Sequence, residues 1–424
     1  MRPLDVGIIG AGTAGSAAAL FLARQGHRVT VYERVPQPGP VGAGITLQPT
    51  GQHVLHRLGL LDAVVARGAR IDELRCETPA GRAIVALTYR TFGEGFFGLG
   101  LHRGVLFEAL FGAVEATPAI TLRTGVELVD LARAGDPGRQ TVRGPRGRFL
   151  VDKEGRLHGP HELVVVADGA RSQFRDDTHT SKRVTPYPWG ALWFVARDPR
   201  GEGSSLLHQI CDGTSRFLGL LPTGRGPGAA EAQLVSLFWS LRADAVAAWR
   251  RRGLAPWKEE LLAIGRAAGD VLPAVLDQIE DPAQVLFAAY HDVVMHRWAT
   301  RDVVYLGDAA HATSPQLGQG ANLALWDAMV LADALGAEER DLARALDAYS
   351  RAREDHLGFY QVATRWLTPF FQSDHTWLGP LRDLGMPLAG RVPFASRLMT
   401  MSMLGVVSGF RLGSLALDPA VRGR

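Results

Sequence analysis

Val6–Arg34 reads VGIIGAGTAGSAAALFLARQGHRVTVYER, and its punctuation decides the fold. An apolar run of Val6, Ile8 and Ile9 stops at Gly10-Ala11-Gly12-Thr13-Ala14-Gly15. A helical pattern rich in alanine and leucine follows, then a second apolar run ending at Glu33 and Arg34. The pattern predicts a strand, a tight turn, a helix and a second strand. Gly10 permits the turn, Gly12 has no Cβ to hold a pyrophosphate away from the backbone, and Gly15 lets the helix lie close on the strand. The helix's first N–H groups and positive dipole end then face the phosphates. Glu33, at the tip of the second strand, is placed to accept hydrogen bonds from both hydroxyls of an adenosine ribose, and its charge would repel a 2′-phosphate. The ligand expected at this turn is FAD or NAD rather than NADP; the competing reading is a tight turn with no ligand.

Working outward, 424 residues exceed what one core usually holds, which predicts two domains, interleaved along the chain. A net charge of +3 over this length leaves no basic stripe for nucleic acid. The clearest basic cluster, Arg133, Arg139, Arg143, Arg146 and Arg148, falls in the glycine- and proline-rich segment Ala132–Pro160 and reads as the wet turns of short hairpins. Cys76 and Cys211 are far apart in sequence, which excludes a closely spaced redox couple and the familiar zinc patterns and fits a reducing compartment. His53, His56, His102 and His208 have no metal-ligand spacing, so no metal is expected. The first strand starts almost at Met1, which predicts no leader, and no apolar run approaches the ~18–20 residues that would span a bilayer. A cytoplasmic protein is expected.

The glycine-dense Val41–Pro49 precedes a helix from about Gly51 to Leu58, and Ile71–Ala86 reads as a hairpin turning at Thr78-Pro79-Ala80-Gly81. Arg103 opens a helix running to about Glu115, where its guanidinium could hold a phosphate. The continuous apolar run Leu163–Ala167 predicts a fully buried strand, and Asp168-Gly169 sits at its exit, where open α/β sheets bind ligands. Runs at Trp189–Ala196, Phe217–Leu221 and Leu234–Leu241 predict an antiparallel sheet followed by helices near Pro256–Gly265 and Val271–Ile279. Trp193, Phe217, Phe238 and Trp239 are candidate walls for a flat apolar ligand; aromatic side chains in a sheet more often serve as core.

The second informative stretch, Asp302–Leu335, reads DVVYLGDAAHATSPQLGQGANLALWDAMVLADAL. A short buried strand delivers Gly307-Asp308, whose carboxylate can take a hydrogen bond from a ribityl hydroxyl. The loop from Pro315 through Gly318, Gly320, Ala321 and Asn322 then feeds a helix over Leu323–Leu335. Its open N–H groups suit the negative charge on the N1–C2=O edge of a reduced flavin better than a nicotinamide. His311 reads as a residue that sets this loop. Beyond a helix at Leu342–Tyr360, the apolar Leu398–Phe410 reads as packing on the body, with a substrate lid or a shallow membrane contact as alternatives.

These three motifs, in this order and over roughly residues 1–370, resemble the single-component flavoprotein aromatic hydroxylases of the para-hydroxybenzoate and salicylate hydroxylase type. The resemblance implies an α/β fold in which a Rossmann-like FAD-binding domain (1–70, 98–182 and 286–370) is interleaved with an antiparallel-sheet substrate domain (71–97 and 183–285). A helical C-terminal tail covers 371–424. It implies that Gly10, Gly12, Ala14 and Gly15 surround the FAD pyrophosphate and that Glu33 and Arg34 lie at the adenosine. Arg103 would contact the cofactor, and Asp168 would serve both FAD and the pyridine nucleotide. Asp308 would bond the ribityl chain, with Pro315, Gly318, Gly320, Ala321 and Asn322 beside the isoalloxazine. The implied reaction uses NADH or NADPH as a transient co-substrate and O2. It hydroxylates or epoxidises an aromatic, polyketide-like or other apolar small molecule through a flavin C4a-hydroperoxide. The family's catalytic tyrosines have no motif that aligns here, so no acid or base is carried over, and the oligomeric state stays open.

No second glycine-rich strand–turn–helix is present, which argues against a separate nicotinamide domain and against the two-nucleotide-domain disulfide reductases. A flavin-dependent reductase or halogenase on the same fold remains an alternative, although the Trp-x-Trp-x-Ile-Pro run of the halogenases is missing. A flavin-binding sensor that never turns over is the alternative outside enzymes.

Overall fold

The computed structural model describes residues 2–133, 147–175, 181–201, 204–338 and 341–421. Arg139, Arg143 and Arg146 of the basic cluster lie outside them. In chain order, β1 (Asp5–Ile9), α1 (Thr13–Arg24) and β2 (Arg28–Glu33) form the expected strand–helix–strand unit. There follow β3 (Gly44–Leu47), α2 (Pro49–Arg57), α3 (Leu61–Val65) and β4 (Ala69–Ile71). The hairpin β5 (Glu73–Glu77) and β6 (Ala83–Thr88) leads to β7 (Gly98–His102), α4 (Arg103–Glu115) and β8 (Ile120–Thr124). Strands β9 (Leu128–Arg133), β10 (Arg148–Asp152) and β11 (Leu157–His161) make a small antiparallel sheet before β12 (Leu163–Val166). In that small sheet Arg133 and Arg148 both bond Asp302, so their charges are satisfied within the fold.

The long strands β13 (Ser181–Arg197), β14 (Leu206–Asp212), β15 (Arg216–Arg225) and β16 (Gln233–Arg242) precede α5 (Val246–Arg252), α6 (Leu254–Ile264) and α7 (Val271–Leu276). After them come β17 (Leu286–Met295), β18 (Val303–Tyr305), α8 (Asp308–His311), α9 (Gly320–Ala337) and α10 (Leu342–Leu367). Helices α11 (Leu378–Gly390) and α12 (Pro393–Leu404) belong to the tail.

Strands β18, β12, β1, β2 and β8, in that spatial order, form an all-parallel sheet. Its central strands are buried on both faces, which explains why β12 reads as unbroken valine and leucine. Ala17, Ala18 and Ala19 of α1 are fully buried between this sheet and the helices above, where a larger side chain would hold the layers apart.

A second sheet runs β17, β13, β16, β15, β14, β5 and β6. It is antiparallel except where β14 meets β5, which run parallel. One face, with Leu192, Phe194, Leu218, Leu220, Val235, Leu237 and Trp239, packs on α6 and α7 through Trp257, Leu261, Leu272 and Val275. One feature differs from the sequence reading. The expected boundary after residue 285 falls short, because β17 pairs along β13 and belongs to this sheet. The 71–97 hairpin joins the same sheet through β14. The difference comes from strand pairing across long stretches of chain, which local periodicity does not encode. The apolar tail stretch packs on the body: Met401, Met403, Leu404, Val406 and Val407 are buried in one cluster with Leu357 and Tyr360 of α10.

Candidate functional site

The first turn is built as the glycine spacing requires. Gly10 has a φ of +97°, and a Cβ there would lie 2.7 Å from the Ala167 carbonyl oxygen, so this position needs glycine for both conformation and space. At Gly15 a Cβ would lie 1.9 Å from the Gly10 carbonyl oxygen. A Cβ on Gly12, in contrast, would meet nothing within 4 Å, and Gly12 caps α1 with no side chain satisfying the first N–H groups. The turn therefore presents uncapped donors to open space, the geometry that receives a phosphate. Glu33 accepts from the Ala11 N–H (3.0 Å) and the Val35 N–H (2.9 Å), so it braces the turn while its remaining lone pairs face outward. Ala14 is buried, with its Cβ beside the Cα of Gly307, and acts by packing.

That Ala14–Gly307 approach brings the third motif against the first. The second arrives through Gly10, which lies on Asp168. The Asp168 carboxyl is raised above its ordinary value by burial, and its Oδ1 is buried with no hydrogen-bond partner among the described residues. An orphaned acceptor at this place fits a ligand hydroxyl or N–H. Arg34 and Arg103 are exposed, and neither has an ion pair among the described residues. The Arg103 N–H bonds the Ala43 carbonyl, and the side chain runs over Gly42, so its charge sits by the glycine-dense loop before β3.

Asp308 is exposed at the start of α8, with its Oδ1 4.0 Å from where a Cβ on Gly320 would lie. Helix α9 begins at Gly320, three residues earlier than the pattern suggested. Ala321 and Asn322 therefore lie in its first turn, which no side chain caps. Pro315 is exposed, and Gly318 adopts a left-handed φ of +63° facing open space. Asn322 is a clamp: its Oδ1 accepts from the Gln48 N–H (2.9 Å), and its Nδ2 donates to the carbonyls of Thr46 (3.2 Å) and Gly318 (3.0 Å). Its side chain is thus spent on backbone, fixing the loop to β3.

Under the loop lies a buried network that the sequence reading missed except for His311. Asp327 accepts from the Gly307 N–H (2.8 Å), from His311 Nε2 (2.6 Å) and from Arg353 Nε (2.7 Å), and Asp327 and Arg353 are completely buried. Burial alone would raise the Asp327 carboxyl, but the charges of His311 and Arg353 and the Gly307 N–H hold it down at about 2. His356 receives the Arg353 guanidinium on Nδ1 and donates from Nε2 to the Gly405 carbonyl (2.8 Å); burial and then the Arg353 charge push its pKa down to about 3. The available signal was the composition of α9, a helix buried nearly all round that carries two aspartates: Asp333 reaches solvent, and a buried Asp327 must find a partner.

Facing this loop is the second face of the large sheet. Ser236 Oγ accepts from the Gly44 N–H (3.0 Å), and Gln372 links the Pro315 loop, through Gln316, to the Gly190 carbonyl on β13. Phe238, two residues from Ser236 and so on the same face, lies 5.1 Å from Trp193 and 5.3 Å from Phe217 between ring centroids. The structure thus brings together three of the four candidate aromatic residues; Trp239, the next residue along β16 from Phe238, turns to the opposite face and is buried against α6 and α7. Tyr290 joins them, accepting from Trp193 Nε1 (3.5 Å); burial pushes its hydroxyl up to about 12, so it is protonated. Among the described residues no cluster could hold a metal ion, and no helix is long and apolar enough to cross a membrane.

An uncapped glycine turn, a buried aspartate and an uncapped helix start thus converge from three parts of the chain. Residues 3–358 match the model of the FAD binding domain family, and the chain belongs to that family as an FAD-dependent monooxygenase. It is 30% identical over 358 residues to 6-methylpretetramide 4-monooxygenase of Streptomyces rimosus, covering 82% of this chain and 80% of that one. To 3-hydroxybenzoate 6-hydroxylase 1 of Aquipseudomonas alcaligenes it is 28% identical, covering 86% and 88%. The fold is shared with PqsL of Pseudomonas aeruginosa, a probable FAD-dependent monooxygenase, at 22% identity and a TM-score of 0.73, covering 91% of this chain and 99% of the other. It is also shared with a Klebsiella pneumoniae HpxO variant complexed with FAD, at 19% identity and a TM-score of 0.73, covering 94% and 99%.

Proposed function

We propose that the chain hydroxylates or epoxidises an apolar aromatic or polyketide-like molecule held between the Pro315–Asn322 loop and the aromatic face of the second sheet. The observation that carries this reading is that Phe238, Trp193 and Phe217 share the sheet face whose Ser236 bonds Gly44 of β3, the strand that Asn322 ties to the Pro315–Asn322 loop. FAD, when bound, supplies reduction by NAD(P)H and reaction with O2. In this reading Gly10, Gly12, Gly15, Arg34 and Arg103 receive the pyrophosphate and adenosine, with Glu33 at the ribose. Asp168 and Asp308 accept from hydroxyls, and the first turn of α9 stabilises charge on the ring edge. The aromatic wall excludes water and orients the substrate. The parallel sheet and its helices act as the cofactor unit, the seven-stranded sheet as the substrate unit, and the enzyme works in the cytoplasm as a small-molecule catalyst.

The test is NAD(P)H oxidation by the purified yellow protein against a panel of phenols and polycyclic quinones, with released peroxide measured in parallel. A substrate that speeds oxidation while suppressing peroxide supports the reading. A flavin-loaded protein that no panel member stimulates favours the sensor alternative.

A further inference from the structure

The chain has two cysteines, and the fold puts them against each other: Cys76 Sγ and Cys211 Sγ are 3.0 Å apart although 135 residues separate them in sequence. The sequence reading excluded a redox couple because no close spacing exists; the parallel β5–β14 pairing supplies the proximity instead. In that register Cys76 stands opposite Gln209, and Cys211 follows two residues on, so both side chains leave the same face. Both are 1% exposed and pack in one cluster with Phe217 and Phe371, with Phe238 against its edge. The Arg382 guanidinium, buried on α11, lies above the Phe371 ring and bonds the carbonyls of Gly213 and Phe370.

We propose that Cys76 and Cys211 form an intramolecular disulfide on exposure to hydrogen peroxide, making this wall of the substrate side an oxidisable site. The bond, about 2.05 Å long, closes by a short approach of two sulfurs already in contact. In the balanced step, one thiol gives up its proton, the thiolate attacks a peroxide oxygen to give a sulfenic acid, and the released hydroxide takes that proton as water; the second thiol displaces hydroxide from that sulfur, and its own proton makes the second water. Two thiols and one peroxide yield one disulfide and two waters. Peroxide is the product expected when NAD(P)H oxidation runs without hydroxylation, a source that rests on the function proposed above; the dithiol itself does not. Burial, the neighbouring Cys76 and the Asp383 charge push the Cys211 thiol up, with the Arg382 charge opposing them. The bridge would tie the hairpin β5–β6 to β14 beside Phe217.

The experiment treats the full-length holoenzyme with hydrogen peroxide or with dithiothreitol, unfolds it in denaturant with iodoacetamide, and records the intact mass. The reduced chain is expected to take up two alkyl groups. The peroxide-treated chain takes up none, is two hydrogens lighter, and regains both reactive thiols after dithiothreitol. A Cys76→Ser chain treated alike forms no internal bridge and retains an added oxygen or one alkylatable thiol. Two alkyl groups after peroxide, added oxygens on the wild-type cysteines, or covalent dimers in place of the bridge overturn the proposal. No turnover is measured, so failure here is distinct from failure of the monooxygenase reading.

Discussion

Replacing Asp327 with asparagine tests whether the buried network under the flavin loop holds that loop in place. Asp327 is the only counter-charge bonded to the buried Arg353 among the described residues, and Arg353 Nη2 already lacks a partner. Asparagine offers one carbonyl oxygen where the carboxylate serves both Arg353 and the Gly307–His311 pair, so an amide NH2 must face a donor on one side. Leaving a buried cation without its partner costs about 3–5 kcal/mol. Urea unfolding of the variant, followed by fluorescence and circular dichroism, would show a loss of that size. FAD affinity would fall with it, because Gly307 and His311 flank Asp308. A companion Arg353→Met chain completes a double-mutant cycle, in which removing both charges costs less than the sum of the single losses by about 2 kcal/mol or more. A loss below about 1 kcal/mol for Asp327→Asn, or strict additivity in the cycle, would refute the reasoning.

Gly12→Ala is expected to give a folded protein that binds FAD weakly, since its Cβ meets no protein atom but projects where the pyrophosphate is placed; Gly15→Ala drives a Cβ onto the Gly10 carbonyl and costs about 1–3 kcal/mol of stability. Flavin absorbance and thermal unfolding separate the two outcomes. Gly219→Ala would press on the Phe238 ring, whose Cζ lies 2.0 Å from the new Cβ position, and is expected to raise substrate KM about tenfold with FAD content unchanged. Stability also falls in acid with a readable cause. His356 is depressed to about 3 from an unfolded value near 6.5, so its contribution is complete above about pH 6.5 and is lost as the pH falls toward 3. Asp327, held at about 2, adds a loss below about pH 3.8. Urea midpoints from pH 8 to 4 would therefore decline below 6.5, and His356→Gln would flatten that decline.

Much of the geometry of the candidate cofactor side was legible in the sequence because it is set locally. Gly10, Gly12 and Gly15 act within one turn, Asp168 and Asp308 follow buried strands directly, and the Pro315–Asn322 loop opens its own helix. Local reading also picked out Trp193, Phe217 and Phe238, together with Trp239, which packs on the helices instead. It could not tell that the first three share one face, since that depends on the register of β13, β15 and β16. Asn322 was found as a loop residue, but its role as a clamp depends on Gln48 and Thr46, far away in sequence.

The sequence by itself determined the strand–turn–helix unit and its fitness for a dinucleotide, because steric freedom at glycine and the run of apolar residues are properties of neighbours along the chain. Tertiary structure alone decided that β17 completes the second sheet, that Asp327 locks Arg353 beneath the flavin loop, and that Cys76 meets Cys211. Each of these depends on a contact between distant segments, whose energy exists only after the chain has closed the loop between them.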